Sequence, residues 1–367
     1  MRPEGGTASG ALIVAGAGMA GLVAAVRARE LGGSPVVYEK GDRPGGSMLL
    51  SSCVVWRYRT FEDFRTECPG GDPALQQLVF EGLDDGIAWL ESLGAPVTEH
   101  ETGNPRTVGK RFDPRGLTEA LVRAAGEIRL GEALPVEVDE SLVLATGGFQ
   151  GSPELVERYV QPAAPLRLRA NRWSAGDGLR LGLARGAQTT AGMDEFYGRN
   201  MPDAPFDEAR FVPLAQLYGR FARVYNEGGE EFFAGREVSW SETDLVQATA
   251  RQPGARAWYV LEERALEERV RGRTVAEMVA LAPTAVEPGE LPFPAPPGAK
   301  VAVRVKPGIT HTIGGLRVDE RAQVVPGLFA AGADVGGIST GGYASGLAAA
   351  LVLGRIAAES ALDAGSR

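Results

Sequence analysis

Residues Ala11–Glu39, ALIVAGAGMAGLVAAVRARELGGSPVVYE, leave fewer folding choices than any other stretch of the chain. The apolar run Ala11–Ala15 has the length of a buried strand. Gly16, Gly18 and Gly21 follow as G-x-G-x-x-G, and a helical stretch runs from Met19 to about Leu31, where Gly32 and Gly33 stop it. Val36 and Val37 make a second strand, closed by Glu39. In such a unit Gly16 permits the tight turn, Gly18 lets the backbone approach a pyrophosphate, and Gly21 lets helix and strand pack closely. The helix N-terminus offers free N–H groups and positive potential to phosphates. Glu39 can accept hydrogen bonds from a ribose 2′-OH. A lone glycine triplet is also what a flexible turn looks like. Strand, helix, second strand and acid in this order point to dinucleotide binding.

The 367 residues suggest more than one folding unit. At 44% hydrophobic and 23% charged residues, the composition is that of a globular protein and not of a disordered one. A formal charge of −9 argues against nucleic acid or an anionic membrane as the main partner. No apolar run is long enough for a membrane span. Met1–Gly10 lacks the charged-then-apolar order of a leader, so a cytoplasmic location is expected. Cys53 and Cys68 form no C-x-x-C, which implies neither a disulfide framework nor a zinc site. His100 and His311 are the only histidines, and no metal site is expected.

Downstream of Glu39, Gly45, Gly46 and Ser47 form a second glycine loop that can pass over phosphates or a ring. Asp72–Leu93 has the apolar spacing of a long amphipathic helix, and Arg115–Ala125 reads as another. Ile128–Leu130 and Ser141–Ala145 read as short strands, the second running into Thr146-Gly147-Gly148. Aromatic residues then concentrate between 151 and 300, a segment of short helices and strands that ends in the proline-rich PTAVEPGELPFPAPPG. The spacing predicts helices over Glu242–Ala250 and Leu261–Val270. We expect three parts: 1–150, an inserted second domain over 151–300, and 301–367 returning to the first domain. The last part holds strands at Val301–Val305 and Leu328–Ala331, the loop GGISTGGYASG, and a long helix from Leu347. Gly346 and Leu347 would present helix N-terminal N–H groups at that loop.

These pieces together resemble the flavoprotein family of fumarate reductases, succinate dehydrogenase flavoprotein subunits and 3-ketosteroid Δ1-dehydrogenases. The matching stretches are GAGMAGL with Glu39, GGS at 45–47, LATGGF, GDGLRLGLARGA, NEGGEEF, HTIGGLRVDE, PGLFAAGADVGG and GLAAALVLGRIAAE. The resemblance implies an α/β fold: a Rossmann-like FAD domain of the glutathione-reductase type with an inserted α+β capping domain. It also implies non-covalent FAD. Gly16, Gly18, Met19, Ala20 and Gly21 would cradle the pyrophosphate, with Glu39 and Lys40 at the adenosine ribose. Gly45, Gly46 and Ser47 would line the diphosphate and flavin side, and Ala145, Thr146 and Gly147 the adenine half. Gly332 and Asp334 would meet the phosphate and ribityl chain, and Gly346 and Leu347 the flavin N1–C2=O edge, where reduced flavin carries negative charge.

The departures from the family bear on the reaction. Fumarate reductases of this family carry a proton-donating arginine in the cap and a carboxylate-holding arginine in the last glycine loop. Those places fall near Glu242 and Gly341. Thr310 stands where the family's substrate-facing histidine is expected, with His311 beside it, and Glu231 stands where arginine is usual in NEGGEEF. No histidine follows GGS for covalent flavin attachment. The uncharged STGGYASG is closer to the ketosteroid branch, in which a tyrosine hydroxyl and a backbone N–H polarise a ketone. Tyr343, Thr340 and His311 are therefore the candidate catalytic residues, with Tyr197, Arg199, Tyr218 and Arg220 as further cap candidates.

The reading is an FAD-dependent oxidoreductase that introduces a C=C bond next to a ketone, by hydride transfer to flavin N5 and removal of an α proton. The alternatives are an enoate reductase of the fumarate type, drawing positive charge from Arg172, Arg199 or Arg220; a flavin hydroxylase or amine oxidase; and a non-catalytic nucleotide-binding protein. The expected partners are a small-molecule substrate and an electron acceptor or donor. No second nucleotide-binding unit for NAD(P)H is apparent in the sequence.

Overall fold

The structure is a computed structural model in which residues 11–135, 140–160 and 165–365 are described. The amino-terminal segment read for a leader lies outside them. The chain divides into two compact units, Met1–Phe149 with Trp173–Ala191 and Gly314–Arg367, and Gln150–Arg172 with Gly192–Ile313.

The first unit is built on a six-stranded sheet. Its order is Gln323–Val325, Leu328–Ala330, Ser141–Leu144, Ala11–Ala15, Ser34–Glu39, Glu127–Leu130. All neighbours are parallel except the first pair. Leu12, Val14, Val37, Leu142, Val143 and Leu328 are fully buried. Such continuous apolar strands belong in a parallel sheet covered on both faces. Helix Met19–Glu30 is buried from Met19 through Val26. It packs on helix Gly346–Gly365 closely enough that a β-carbon on Gly354 would lie 2.7 Å from the Ala20 carbonyl oxygen.

The long helix runs over Pro73–Ser92, and the Asp72 carboxylate caps it by accepting the Ala74 and Leu75 N–H groups at 2.9 and 3.2 Å. Its glycines Gly82 and Gly86 lie against Val352 and Leu351 of the last helix. An antiparallel sheet of Val54–Tyr58, Thr107–Phe112 and Val97–Glu99 completes the unit.

The second unit is α+β. Its spine is the fourteen-residue strand Ala299–Thr312. Ala257–Glu262, Ala285–Val286 and Phe196–Pro202 pair with it antiparallel, and Arg167–Leu168 parallel. Tyr218, Leu245, Tyr259, Leu261, Val275, Met278, Val303 and Val305 form a fully buried core. The return to the first unit comes after Ile313, not at residue 301, because residues 299–312 pair along most of their length with strands of the inserted segment. The helix expected over Leu261–Val270 is only the single turn Glu263–Leu266, since Leu261 and Glu262 end a strand and Arg269–Val270 forms a small hairpin.

Candidate cofactor cradle and catalytic groups

In the first unit the glycine turn has the tight geometry that a dinucleotide cradle needs. Gly16 has φ +106°, and a β-carbon there would sit 2.2 Å from the Ala145 carbonyl oxygen. A β-carbon on Gly21 would sit 1.9 Å from the Gly16 carbonyl oxygen and 3.2 Å from Val14 Cγ1, so strand and helix meet without a side chain between them. Gly18 differs: a β-carbon there meets nothing within 4 Å, which leaves open space at the N-terminus of helix Met19–Glu30. Met19 and Ala20 begin that helix, and both are buried.

Glu39 is only 6% exposed, although it is charged. Its Oε2 accepts the Ala17 N–H at 2.8 Å and its Oε1 the Gly41 N–H at 2.7 Å, so the acid is fixed beside the glycine turn. Lys40 is ion-paired with Asp177. The second glycine loop is tied to the first by the Gly45 N–H, which donates to the Ala17 carbonyl at 2.8 Å. Gly45 and Gly46 both have positive φ, 104° and 51°, and Ser47 follows half-buried in the short helix Gly46–Leu49.

The Ala145–Gly148 turn is bound to Asp334 across the sheet. Asp334 Oδ1 accepts from Thr146 Oγ1 at 2.9 Å and from the Gly148 N–H at 3.1 Å, and Oδ2 accepts the Thr146 N–H. Thr146 Oγ1 in turn accepts the Gly178 N–H at 2.9 Å. Burial pushes the Asp334 carboxyl up, and these hydrogen bonds oppose the rise. The carboxylate is thus a clamp between two strand ends, a duty the sequence reading did not foresee. Asp334→Ala is expected to leave the Thr146 and Gly148 donors without their acceptor and to destabilise the protein by about 3 kcal/mol, read as a lower urea midpoint. Gly332, at φ +68°, lies against Ala20, with 2.9 Å between the Ala20 β-carbon and one built on the glycine. The Ser345 hydroxyl and carbonyl take the Ala348 and Ala349 N–H groups at 3.3 and 3.1 Å. Gly346 and Leu347 therefore open helix Gly346–Gly365 in the first turn, where an α-helix has no internal acceptors for its N–H groups.

Two of the three candidate catalytic residues belong to this unit. Thr340 is 6% exposed, and its Oγ1 is buried with no hydrogen-bond partner. Tyr343 is half-buried, with its ring 6.0 Å from that of Trp56 and its carbonyl accepting the Tyr58 hydroxyl at 2.7 Å. Burial pushes the Cys53 thiol up to about 12, so it is no thiolate near neutral pH.

The third candidate, His311, lies in the second unit on strand Ala299–Thr312. Burial lowers its pKa to about 4, so the imidazole is neutral at pH 7 and does not titrate there as the sequence suggested. Its ring meets Tyr197 edge-on at 5.6 Å. The Arg199 guanidinium lies 5.1 Å from the Tyr197 ring centroid. Burial opposes ionisation of the Tyr197 phenol, yet the charges of Arg199, Arg169 and Arg271 outweigh it and hold the phenol below its usual range. Arg169 also donates to Thr310 Oγ1 at 3.0 Å. Of the other cap candidates, Tyr218 is fully buried in the core and Arg220 is exposed, stacked 4.7 Å from the Trp240 ring centroid. Glu231 is paired with Arg223 at 2.6 Å. Arg169, Arg271 and Glu242 join the cluster although the sequence reading gave none of them a catalytic role; no local spacing connects them.

Among the described residues, no helix is long and apolar enough to cross a membrane. The sequence matches the family described as FAD binding domain over residues 11–134 and 118–347. A probable fumarate reductase of Shewanella frigidimarina (strain NCIMB 400) is 24% identical, over 95% of this chain and 74% of its own length. The open conformation of a flavocytochrome c3 fumarate reductase superposes with a TM-score of 0.70 at 23% identity, covering 98% of this chain and 79% of that one. The 3-ketosteroid-Δ4-(5α)-dehydrogenase of Rhodococcus jostii RHA1 superposes with a TM-score of 0.69 at 19% identity, covering 96% and 97%. The glycine cradle, the buried Glu39 and this match along most of the sequence lead to one conclusion: the chain belongs to the FAD binding domain family and is an FAD-dependent oxidoreductase.

Proposed function

We propose that the protein binds FAD non-covalently and introduces a C=C bond next to the carbonyl of an uncharged or weakly charged ketone. FAD, when bound, supplies the hydride chemistry. Gly16, Gly18 and Gly21 would hold the pyrophosphate, Glu39 the ribose, and the Gly346 and Leu347 N–H groups the anionic edge of the ring. The chain's own share of the reaction is to orient the substrate, polarise its carbonyl and move one proton.

The observation that carries the ketone reading is Thr340. Its hydroxyl is buried and has no partner, and it stands in the uncharged STGGYASG loop. A buried donor without an acceptor is costly, about 1–3 kcal/mol, and a substrate carbonyl oxygen would satisfy it. Donors placed where an enolate develops charge contribute several kcal/mol each, about 3–4 for a lost oxyanion donor.

A second reading, reduction of an enoate or dicarboxylate, draws on a different observation. Arg169, Arg199 and Arg271 all act on Tyr197 in the second unit, and guanidinium groups suit a carboxylate. An anaerobic absorbance titration separates the two. Saturated cyclic ketones are expected to bleach the oxidised flavin. Failure of every ketone, together with reoxidation of the reduced flavin by fumarate, would replace the ketone reading with the second.

A further inference from the structure

Gly41 is a glycine that its own backbone does not require, since its φ is not positive. What excludes a side chain there is Trp173. A β-carbon on Gly41 would lie 2.7 Å from Trp173 Cδ1 and 3.0 Å from Nε1, and 2.8 Å from Glu39 Oε1. The pyrrole edge of the indole therefore rests on the chain two residues after the acid proposed for the ribose. The backbone beneath it is pinned, because the Glu39 and Gly41 carbonyls accept the Glu132 and Gly131 N–H groups at 3.1 and 2.9 Å.

Trp173 is held there by a strap, residues 173–178, that reaches both the Glu39–Gly41 end and the Thr146–Gly148 turn. The strap belongs to the first unit. Asp177 pairs with Lys40. The Gly176 N–H donates to the Gly148 carbonyl at 2.9 Å, and the Gly178 N–H to Thr146 Oγ1 at 2.9 Å. Ser174 is buried, and its Oγ lies 2.6 Å from a β-carbon built on Gly147. The Ala175 N–H turns back to the Trp173 carbonyl at 2.9 Å. Trp173 itself is half-buried. An indole with part of its ring open, seated on a fixed backbone beside a buried carboxylate, offers a face on which a nucleobase can stack.

We propose that Trp173 is the adenine-binding residue of this chain: the base of FAD stacks on its indole, and this contact selects the dinucleotide over FMN. The proposal rests on the FAD reading above, with Glu39 at the ribose. Base and ribose are joined by one bond, so the residue that holds the ribose limits where the base can lie, and the indole stands within that reach. Gly41 gives the indole its seat, because any side chain there would push the ring away. FMN has no adenosine and cannot use the contact.

The test uses the full chain with 5-fluorotryptophan in place of tryptophan. Its five tryptophans give one fluorine signal each, and Trp173→Phe identifies the signal of residue 173 by its loss. FAD is expected to shift that signal. FMN, which carries the ring and one phosphate, should leave it in place. Flavin fluorescence titrations supply the second readout. Trp173→Ala should weaken FAD binding by about 10–100-fold and leave FMN binding unchanged, with Trp173→Phe, which keeps a flat ring, in between. A Trp173 signal that FAD does not move, or an FAD affinity unchanged in Trp173→Ala, would overturn the proposal. So would equal losses for FAD and FMN, since a residue that only supports the fold weakens both. Should Trp173→Ala fail to fold, the fluorine shift in the unaltered sequence decides. Failure of the glycine cradle is a separate result: normal FAD binding by Gly18→Ala, beside a Trp173 signal that FAD does move, would remove the cradle and keep the adenine site.

Discussion

Glu242→Gln is expected to be more stable than the unaltered protein at pH 8 and to lose that advantage below about pH 4.5. The folded carboxyl sits at about 7 against an ordinary value of 4.5. Between those values the folded state binds more protons than the unfolded one, so stability falls as pH rises. The contribution is fully present below 4.5 and is lost as pH climbs through 7. A shift of that size corresponds to a cost on the order of 3 kcal/mol above neutrality. A neutral glutamine does not incur it. His311 works in the opposite sense and over nearly the same window: its folded pKa of about 4 lies below the usual 6.5, so its contribution is present above 6.5 and lost as pH falls. It is the same in both proteins and cancels. Urea midpoints at the two pH values give the measurement. A difference between the proteins that does not change with pH would mean that the Glu242 carboxyl titrates normally.

Gly21→Ala and Gly18→Ala, three residues apart, should fail in different ways. A methyl on Gly21 would meet the Gly16 carbonyl oxygen at 1.9 Å. Neither partner is a flexible side chain, so the strand and helix must separate. Overpacking of this kind costs about 1–3 kcal/mol and occasionally more, and the apo-protein itself should melt earlier. A methyl on Gly18 meets nothing within 4 Å, so the apo-protein should melt as before. The same methyl would stand where the proposed pyrophosphate approaches the backbone, and FAD affinity should fall at least tenfold, about 1.4 kcal/mol. Apo melting curves and flavin fluorescence titrations separate the two. Unchanged FAD affinity in Gly18→Ala would remove the proposed cradle role.

What the sequence made legible follows from the range of each interaction. The strand–glycine turn–helix unit was readable because its parts are neighbours: the glycine spacing, the strand before it and Glu39 lie within one βαβ stretch. Helix Pro73–Ser92 was readable for the same reason, since Asp72, Pro73 and the apolar spacing are all local. The Asp334 clamp was not, because Thr146 and Asp334 meet only through strand pairing between distant segments. Of the strand Ala299–Thr312 only Val301–Val305 was read; the rest belongs to it because Phe196–Pro202 pairs across Pro307 and Gly308. Glu242 was read as standing near the place of the family's proton-donating arginine; that it is buried could not be read, because burial is a property of the packed unit and not of the residues on either side.

The first unit is made from separated lengths of chain, and that sets an order on biosynthesis. Ser141–Leu144 pairs with Leu328–Ala330, and the helix after Gly16 packs on the helix that begins at Gly346. A ribosome adding about 5–20 residues per second releases the whole second unit before it makes those last partners. The nascent sheet therefore waits on the order of ten seconds with one apolar edge uncovered, while the inserted unit is made and receives its spine Ala299–Thr312 only shortly before Leu328. Lesions in Leu328–Ala330 or Gly346–Gly365 would then act mainly during translation, as lost yield and chaperone demand, more than on the molecules that do finish folding.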